Sequence, residues 1–280
     1  MSNLKLTVFA ILLSLSVFSQ SKEKKISLSG SVDAYYQTYL SSSDNNFISF
    51  PTSFADKAGF ALVMANLVVS YESGKVGAVA DLAYGPRGEA AVGADIPYVN
   101  QLYAFWNISE KTTLTFGRFN TYLGYEVISP TVNFNYSTSY LFSNGPFSHV
   151  GLKADFKLSE DLSLMLAVMN PTDTNTNLTG DYAFGAQLGY AEQYLNFYYD
   201  SGVVLGLEVD YTGLFDISKD FFLGINAAYQ ENDGSGFYGV ALYPQFSTSD
   251  NFDIGLRGEY FGLHGNSDDN VLGLTLTGSY

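Results

Sequence analysis

Apolar and polar residues alternate with a period of two over much of this chain. Residues 270–280 show the pattern most clearly. Leu272, Leu274, Leu276 and Tyr280 share one phase, while glycine, threonine and serine fill most of the other. Successive side chains of a strand point to opposite faces, so this segment predicts a β-strand with one apolar face and one small or polar face.

The same alternation recurs upstream, in segments of roughly 8–14 residues separated in turn by short polar turns and longer loops. The pattern predicts an all-β fold, a transmembrane antiparallel up-and-down β-barrel of about 14 strands. About 12 or 16 strands are alternatives, because residues 182–214 are difficult to divide. The predicted strands are residues 26–40, 61–71, 76–84, 98–108, 112–119, 150–157, 162–170, 183–190, 194–199, 203–212, 221–230, 237–246, 252–261 and 270–280.

The charged residues of these strands test the barrel hypothesis. When each strand's phase is set by its apolar residues, ten charges fall on the opposite phase. A charge facing lipid at the bilayer midplane costs about 2–4 kcal/mol for Arg or Lys, so a barrel must turn such residues inward. We therefore predict that seven acids and three bases line a pore, with a net charge of −4. They are Asp33, Asp81, Lys153, Asp155, Lys157, Glu208, Asp210, Asp253, Arg257 and Glu259.

Arg118 is the exception, because Leu114 and Phe116 share its phase. A bulge at Gly117 would turn its side chain inward, or the residue lies beyond the hydrocarbon layer. We include Arg118, together with Glu126 from the following loop, among the predicted pore-lining residues. Pro244, inside another predicted strand, cannot donate to a ladder and predicts a bulge or strand end.

The N-terminal residues predict export. Lys5 precedes an uncharged apolar run at residues 6–18, which ends in small residues. This pattern predicts a signal peptide at residues 1–19, with a single anchor helix as the alternative, and a barrel domain at residues 20–280. Removal of Lys5 changes the formal charge from −15 to −16.

Composition narrows the classes of function. Only 15% of the residues are charged and 16% are aromatic, which argues against disorder. The acidic balance argues against nucleic-acid binding, which favours clustered Lys and Arg. There is no cysteine, so disulfides and cysteine catalysis are excluded.

Residues 119–147 form the longest predicted connection, with seven aromatic residues besides Phe119 and one charge, Glu126. Long connections are commonly functional, and one so aromatic should pack out of water. We expect it to fold into the barrel mouth as a constriction, with a cap above the barrel or a contact with a neighbouring subunit as alternatives. The predicted constriction residues are Tyr122, Tyr125, Tyr136, Tyr140 and Phe142.

The sequence gives little support for a catalytic or metal-binding site. Ser148 adjoins His149, but neighbours in a strand point to opposite faces and cannot form a nucleophile–base pair there. His264 is expected in a loop at residues 262–269, among solvated acids. No acidic run has the register of a calcium-binding loop. We expect no enzymatic activity, no cofactor and no metal.

Motifs within residues 115–170 resemble those of the OmpL-like β-barrel porin family. They are Gly117-Arg118-Phe119, Gly124-Tyr125-Glu126, the stretch at residues 136–142 and Gly145-Pro146-Phe147-Ser148-His149. The final strand, with Leu272, Leu274, Leu276 and Tyr280, resembles the C-terminal signal by which outer-membrane barrels are recognised for assembly. The resemblance implies an outer-membrane porin of a Gram-negative cell, which contacts outer-membrane lipid and the barrel-assembly machinery.

The leading hypothesis is therefore a passive pore for ions and small hydrophilic solutes, restricted by the long loop and weakly cation-preferring. A substrate-specific nutrient channel and a closed structural or adhesive barrel are the alternatives. Whether the barrel forms a homo-oligomer stays open, and no nucleic-acid partner is expected.

Overall fold

A computed structural model describes residues 24–38, 40, 52–54, 57–93 and 95–280. The predicted signal peptide at residues 1–19 lies outside the described residues. The strands are β1 Lys24–Gln37, β2 Gly59–Ser73, β3 Val76–Tyr84, β4 Val99–Ser109, β5 Thr112–Asn120, β6 Ser148–Lys157, β7 Leu162–Met169, β8 Ala183–Tyr190, β9 Gln193–Tyr199, β10 Leu207–Ser218, β11 Phe221–Asn232, β12 Ser235–Ser249, β13 Phe252–His264 and β14 Asn270–Ser279. Two short helices, α1 Pro86–Val92 and α2 Tyr140–Asn144, lie in the connections.

The fourteen strands form one sheet in sequence order, and each strand pairs antiparallel with the next. This confirms the predicted all-β, up-and-down architecture and the count of 14. The ladder between β1 and β14 that would close a barrel is not formed in the described part of the chain. Lipid offers no partners for unpaired backbone groups, so a membrane-spanning form needs that closure.

Three sequence-based expectations about the strands were wrong. Residues 203–206 belong to the connection before β10, and β10 continues to Ser218, beyond the predicted strand end at residue 212. Pro244 makes no bulge. It pairs with Leu223 of β11 in register, and the ladder between β12 and β13 has no pairs at Tyr243 and Pro244 but keeps the same register on both sides of them. His264 ends β13 rather than lying in a loop.

The two faces of the sheet differ as the alternation predicts. In β14, Leu272, Leu274 and Leu276 are exposed, and the residues between them are half-buried. Aromatic residues lie near both ends of the strands on this outer face. The exposed rings of Tyr84 and Tyr98 stack on each other, and the half-buried ring of Phe221 stacks on the exposed ring of Phe246. An apolar band between aromatic girdles is the outer surface of a transmembrane barrel. Within the described residues, no helix has the length and hydropathy to cross a membrane.

The connections are asymmetric. Six short turns of two to four residues lie at one end of the sheet, here called the short-turn end. The connections at the opposite end are longer, except for the tight turn at Asp233–Gly234, and the longest spans residues 121–147 between β5 and β6. We call residues 121–147 the long connection.

Candidate functional site

The long connection lies within the curve of the sheet. Tyr136 donates from its hydroxyl to Asp33 of β1 at 2.8 Å, and Asn135 donates to Thr277 of β14 at 2.7 Å. Further along the sheet, the Gly124 N–H donates to Asp210 of β10 at 3.0 Å. A single segment can contact the first, middle and last strands at once only if it lies on the concave side of the sheet. The inner face of the sheet and the long connection therefore form one candidate site.

Three apolar clusters attach the connection to the strands. Leu123 packs with Met165, Met169 and Tyr198 of β7 and β9. Ile128 and Phe142 pack with residues of β2 and β3, including Met64 and Ala83. Tyr140 and Leu141 pack with residues of β12 and β13, including Tyr243 and Phe261. Because these apolar groups are removed from water on three sides of the connection, burial stabilises its folded position.

The predicted constriction residues take part in this packing. Tyr140 and Phe142 are buried, and both belong to α2, which Ser139 caps by accepting from the Phe142 N–H. Tyr125 stacks on Tyr243 with a centroid separation of 4.2 Å, and burial raises the pKa of Tyr125 to about 12. Tyr122 donates to the Phe197 carbonyl at 2.7 Å. Together with Tyr136, these aromatic residues therefore contact the strands.

A buried ionic cluster holds the centre of the connection. The Arg257 guanidinium lies 3.0 Å from Glu126 Oε1 and 2.9 Å from Glu259 Oε1, and all three side chains are 2–3% exposed. Glu126 also accepts from the Ser139 N–H at 2.7 Å, and Glu259 accepts from the Tyr140 N–H at 2.8 Å. The two carboxylates thus connect β13 to the segment that leads into α2.

Burial raises the pKa of the Glu126 carboxyl, while the Arg257 guanidinium and the Ser139 hydrogen bonds oppose that shift. Removing Arg257 would leave two buried carboxylates without their cation. The sequence placed Arg257, Glu126 and Glu259 in the pore but did not show that they form one cluster.

Two carboxylates on the inner face, Asp81 and Asp210, are bound mainly by side-chain amides. Asp81 accepts from Asn100 at 2.7 Å and from Gln101 at 3.1 Å. Asp210 accepts from Asn196 at 2.7 Å and from Asn226 at 2.5 Å. The sequence analysis did not select these amides. Gln101, Asn196 and Asn226 alternate with outward apolar residues, so their phase would have identified them, whereas Asn100 shares the phase of the exposed Leu102.

Free volume remains beside the connection toward the short-turn end. One cavity of about 230 Å³ is lined by Tyr103, Phe119, Tyr122, Lys153 and polar neighbours. A second, of about 220 Å³, lies nearer the turns and is lined by Lys111, Asp155, Lys157 and Gln187, among others. Lys153, which lines the first cavity, forms an ion pair at 2.9 Å with Asp155, which lines the second. Charged side chains of the inner face therefore line both cavities.

The remaining predicted pore-lining residues differ in how far their side chains are buried. Asp33 and Asp253 are half-buried on the inner face. Lys157 is exposed at the short-turn end, 3.8 Å from Glu160. Role assignments for all these residues stay predictions.

Arg118 is held without the predicted bulge. It pairs with Leu102 and Val150, and neither ladder shifts its register at Gly117 or Arg118, although Gly117 has a φ of +133°. The Arg118 guanidinium is buried, and it donates to the Asn100 carbonyl at 3.0 Å and to the Val92 carbonyl at the end of α1. The Arg118 charge is therefore shielded from lipid by connections at the end of the sheet opposite the short turns, and not by a change of register.

The serine–histidine neighbours make separate contacts. Ser148 donates from its hydroxyl to Asp173 at 3.0 Å. His149 Nε2 lies 3.1 Å from the Thr121 hydroxyl, among the rings of Phe119, Tyr122 and Tyr198. His264 Nε2 lies 2.9 Å from the Gln230 carbonyl.

Comparison with known proteins decides the family. A family model described as "Putative beta-barrel porin-2, OmpL-like" matches residues 25–280, which include all but the first residue of β1 and every later strand. The chain belongs to this porin family. The resemblance noted over residues 115–170 therefore extends across the whole sheet.

A solved structure supports the fold of this family member. The crystal structure of the outer membrane channel DcaP of Acinetobacter baumannii matches with a TM-score of 0.56 and 16% identity. The match covers 88% of this chain and 81% of that chain. No curated protein matches the chain. The porin family and the channel neighbour indicate an outer-membrane channel.

Proposed function

We propose that this protein is a passive, loop-restricted, weakly cation-preferring pore for ions and small hydrophilic solutes, acting in the outer membrane after cleavage of its signal peptide. The observation that carries the proposal is the polar, charged volume beside the long connection, inside a sheet whose outer face is apolar. Water and solutes would follow that inner path, and no chemical step is required of the protein.

Swelling of liposomes that contain the purified protein tests this function. A passive pore admits small sugars and amino acids at rates that fall smoothly with solute size. Liposomes that do not swell in any of these solutes would contradict the proposal. Saturable uptake of one solute alone would favour the substrate-specific channel.

One observation favours the closed structural barrel as a second candidate. The long connection is packed against strands on three sides, and the two cavities described beside it hold about 220 Å³ and 230 Å³. A protein that folds normally, yet passes neither ions nor solutes, would support this candidate.

The acidic balance of the inner face supports a prediction on selectivity. The ten strand charges assigned to the lumen carry a net −4, and rings of acidic residues favour cations. Salt screens such fields over roughly 10 Å at 0.1 M. We expect reversal potentials that favour potassium over chloride at low salt and approach zero preference at high salt. A reversal potential that favours chloride at low salt would be incompatible with the proposal.

Topology is a separate prediction. We expect residues 41–57, 85–97 and 119–147 to lie on the outer side of the membrane, and residues 72–75 and 158–161 to face the periplasm. The chain has no cysteine, so the single variants Ser43→Cys and Ser73→Cys report on one site each. An impermeant thiol reagent should label Ser43→Cys, but not Ser73→Cys, on intact cells.

Permeabilised cells provide the control, because both variants should then react. Equal labelling on intact cells, or an electrophoretic mobility that heating does not change, would contradict the folded topology. Ser43 itself lies outside the described residues.

A further inference from the structure

Arg87 is a buried arginine without a counterion in the described part of the chain. It lies in α1 and is 2% exposed. Its Nε donates to the Ile128 carbonyl at 2.7 Å, but neither terminal nitrogen of the guanidinium has a hydrogen-bond partner. Among the described residues, no Asp or Glu oxygen lies within 4.0 Å of this side chain. A buried charge with unsatisfied donors is strongly unfavourable, so this guanidinium needs an anion.

The neighbouring acids of the inner face do not supply that anion. Burial lowers the pKa of Arg87, and Tyr136, Asp33 and Glu126 oppose this shift, although neither carboxylate forms an ion pair with Arg87. Asp33 accepts from the Tyr136 hydroxyl through both of its oxygens, at 2.9 Å and 2.8 Å. Glu126 is paired with Arg257 at 3.0 Å. Both carboxylates are therefore engaged with other groups.

A cavity of about 350 Å³ lies beside Arg87, at the end of the sheet opposite the short turns. The polar part of its lining consists of Arg87, Lys57, Thr52, Ser53 and Tyr35. Lys57 is exposed and has no ion pair within the described residues. None of the described residues that line the cavity is acidic. The polar lining therefore presents two positive charges and three hydroxyl groups.

The remainder of the lining is apolar. The Phe54 ring lies over the guanidinium, with Arg87 Cζ 4.6 Å from the ring centroid. The other apolar residues belong to β2 and α1, and they are Ala61, Leu62, Val63, Pro86 and Ala90. An inorganic anion would leave this wall in contact with water, whereas an organic anion would cover it. The lining therefore fits an anion that carries an apolar body.

The planar fork of a guanidinium matches a carboxylate, because two parallel N–H groups can donate to its two oxygens. We propose that this cavity binds small organic carboxylates, with the carboxylate on the two terminal nitrogens of Arg87 and the apolar body against β2 and α1. Both nitrogens are covered, so the Phe54 ring turns aside as the carboxylate enters. Lys57, at the exposed side of the cavity, adds to the attraction. The site is a local positive region in a chain of formal charge −15.

Calorimetric titration of the purified protein in a non-ionic detergent tests the proposal, with hexanoate as the probe and the detergent alone as the blank. Hexanoate should bind saturably with one site per chain, and 1-hexanol, which has the same apolar body without the charge, should not. Arg87→Gln should weaken hexanoate binding by at least about tenfold, since a charge-assisted hydrogen bond is lost. Lys75→Gln is the matched control, because it removes a positive charge from an exposed turn at the opposite end of the sheet, and it should leave binding unchanged.

Three results would overturn the proposal. They are no saturable hexanoate binding at millimolar concentration, equal binding by Arg87→Gln, and binding of 1-hexanol as tight as that of hexanoate. Inorganic phosphate that binds as tightly as hexanoate would overturn the assignment to an organic carboxylate, because the apolar wall would then contribute nothing.

A second measurement covers the case in which Arg87→Gln does not fold. A ligand that binds only the folded state raises the temperature of unfolding. Hexanoate should therefore raise the unfolding temperature of the wild-type protein, and Lys57→Gln, at an exposed position, should reduce that rise. No rise, or an equal rise with 1-hexanol, would contradict the site. Both readouts are obtained without a current, so they can fail while the pore function stands.

Discussion

Replacing residues 125–143 with a short Gly/Ser linker is expected to increase single-channel conductance several-fold. The segment carries Tyr125, Tyr136, Tyr140 and Phe142 into the curve of the sheet, where they contact strands on several sides. Its removal would free the volume that these aromatic side chains occupy. Planar-bilayer recording of the purified variant provides the measurement.

The matched control replaces the loop tip at residues 176–180 with Gly/Ser and should leave the conductance unchanged. Heat-modifiable electrophoretic mobility shows whether each variant is folded. A folded linker variant with wild-type conductance would mean that the long connection does not set the pore width, and that it caps the barrel or contacts a partner instead.

Arg257→Gln should cause the largest loss of stability among single substitutions in the lumen. It leaves Glu126 and Glu259 as uncompensated charges in a site that is 2–3% exposed. Breaking a buried pair by removing one partner costs about 3–5 kcal/mol. The midpoint of denaturant unfolding in detergent should fall accordingly, with wild-type protein measured in parallel.

Lys153→Gln is the control, because it breaks the Lys153–Asp155 pair, whose side chains are 24% and 42% exposed. An exposed pair contributes about 0–1 kcal/mol, so the control should stay near wild type. A triple variant that also carries Glu126→Gln and Glu259→Gln should regain part of the lost stability. Equal destabilisation by Arg257→Gln and Lys153→Gln would show that the ionic cluster does not hold the connection.

The alternation of side chains made most of the fold predictable. A strand has only two faces, and lipid excludes charge from one of them, so phase alone located strands such as β3 and β8 at their observed bounds. The boundary of β10 was misplaced because the apolar residues Val203, Val204 and Leu205 lie in a turn. There, Asp200 accepts backbone N–H groups, including those of Leu205 and Gly206.

The candidate site was predictable only in part. Phase assigned Glu208, Asp210, Arg257 and Glu259 to the inner face, and their burial agrees with that assignment. The partnership of Arg257 with Glu126 was not predictable, because it depends on how an irregular connection folds back onto a strand 131 residues away. Periodicity carries no information about such a segment.

Single-channel recording of the wild-type protein in a planar bilayer tests the central claim most directly. Purified, folded protein should insert with discrete, ohmic current steps that favour cations at low salt. Folded protein that inserts into the bilayer without producing any current step would contradict the account of this porin-family member as a pore.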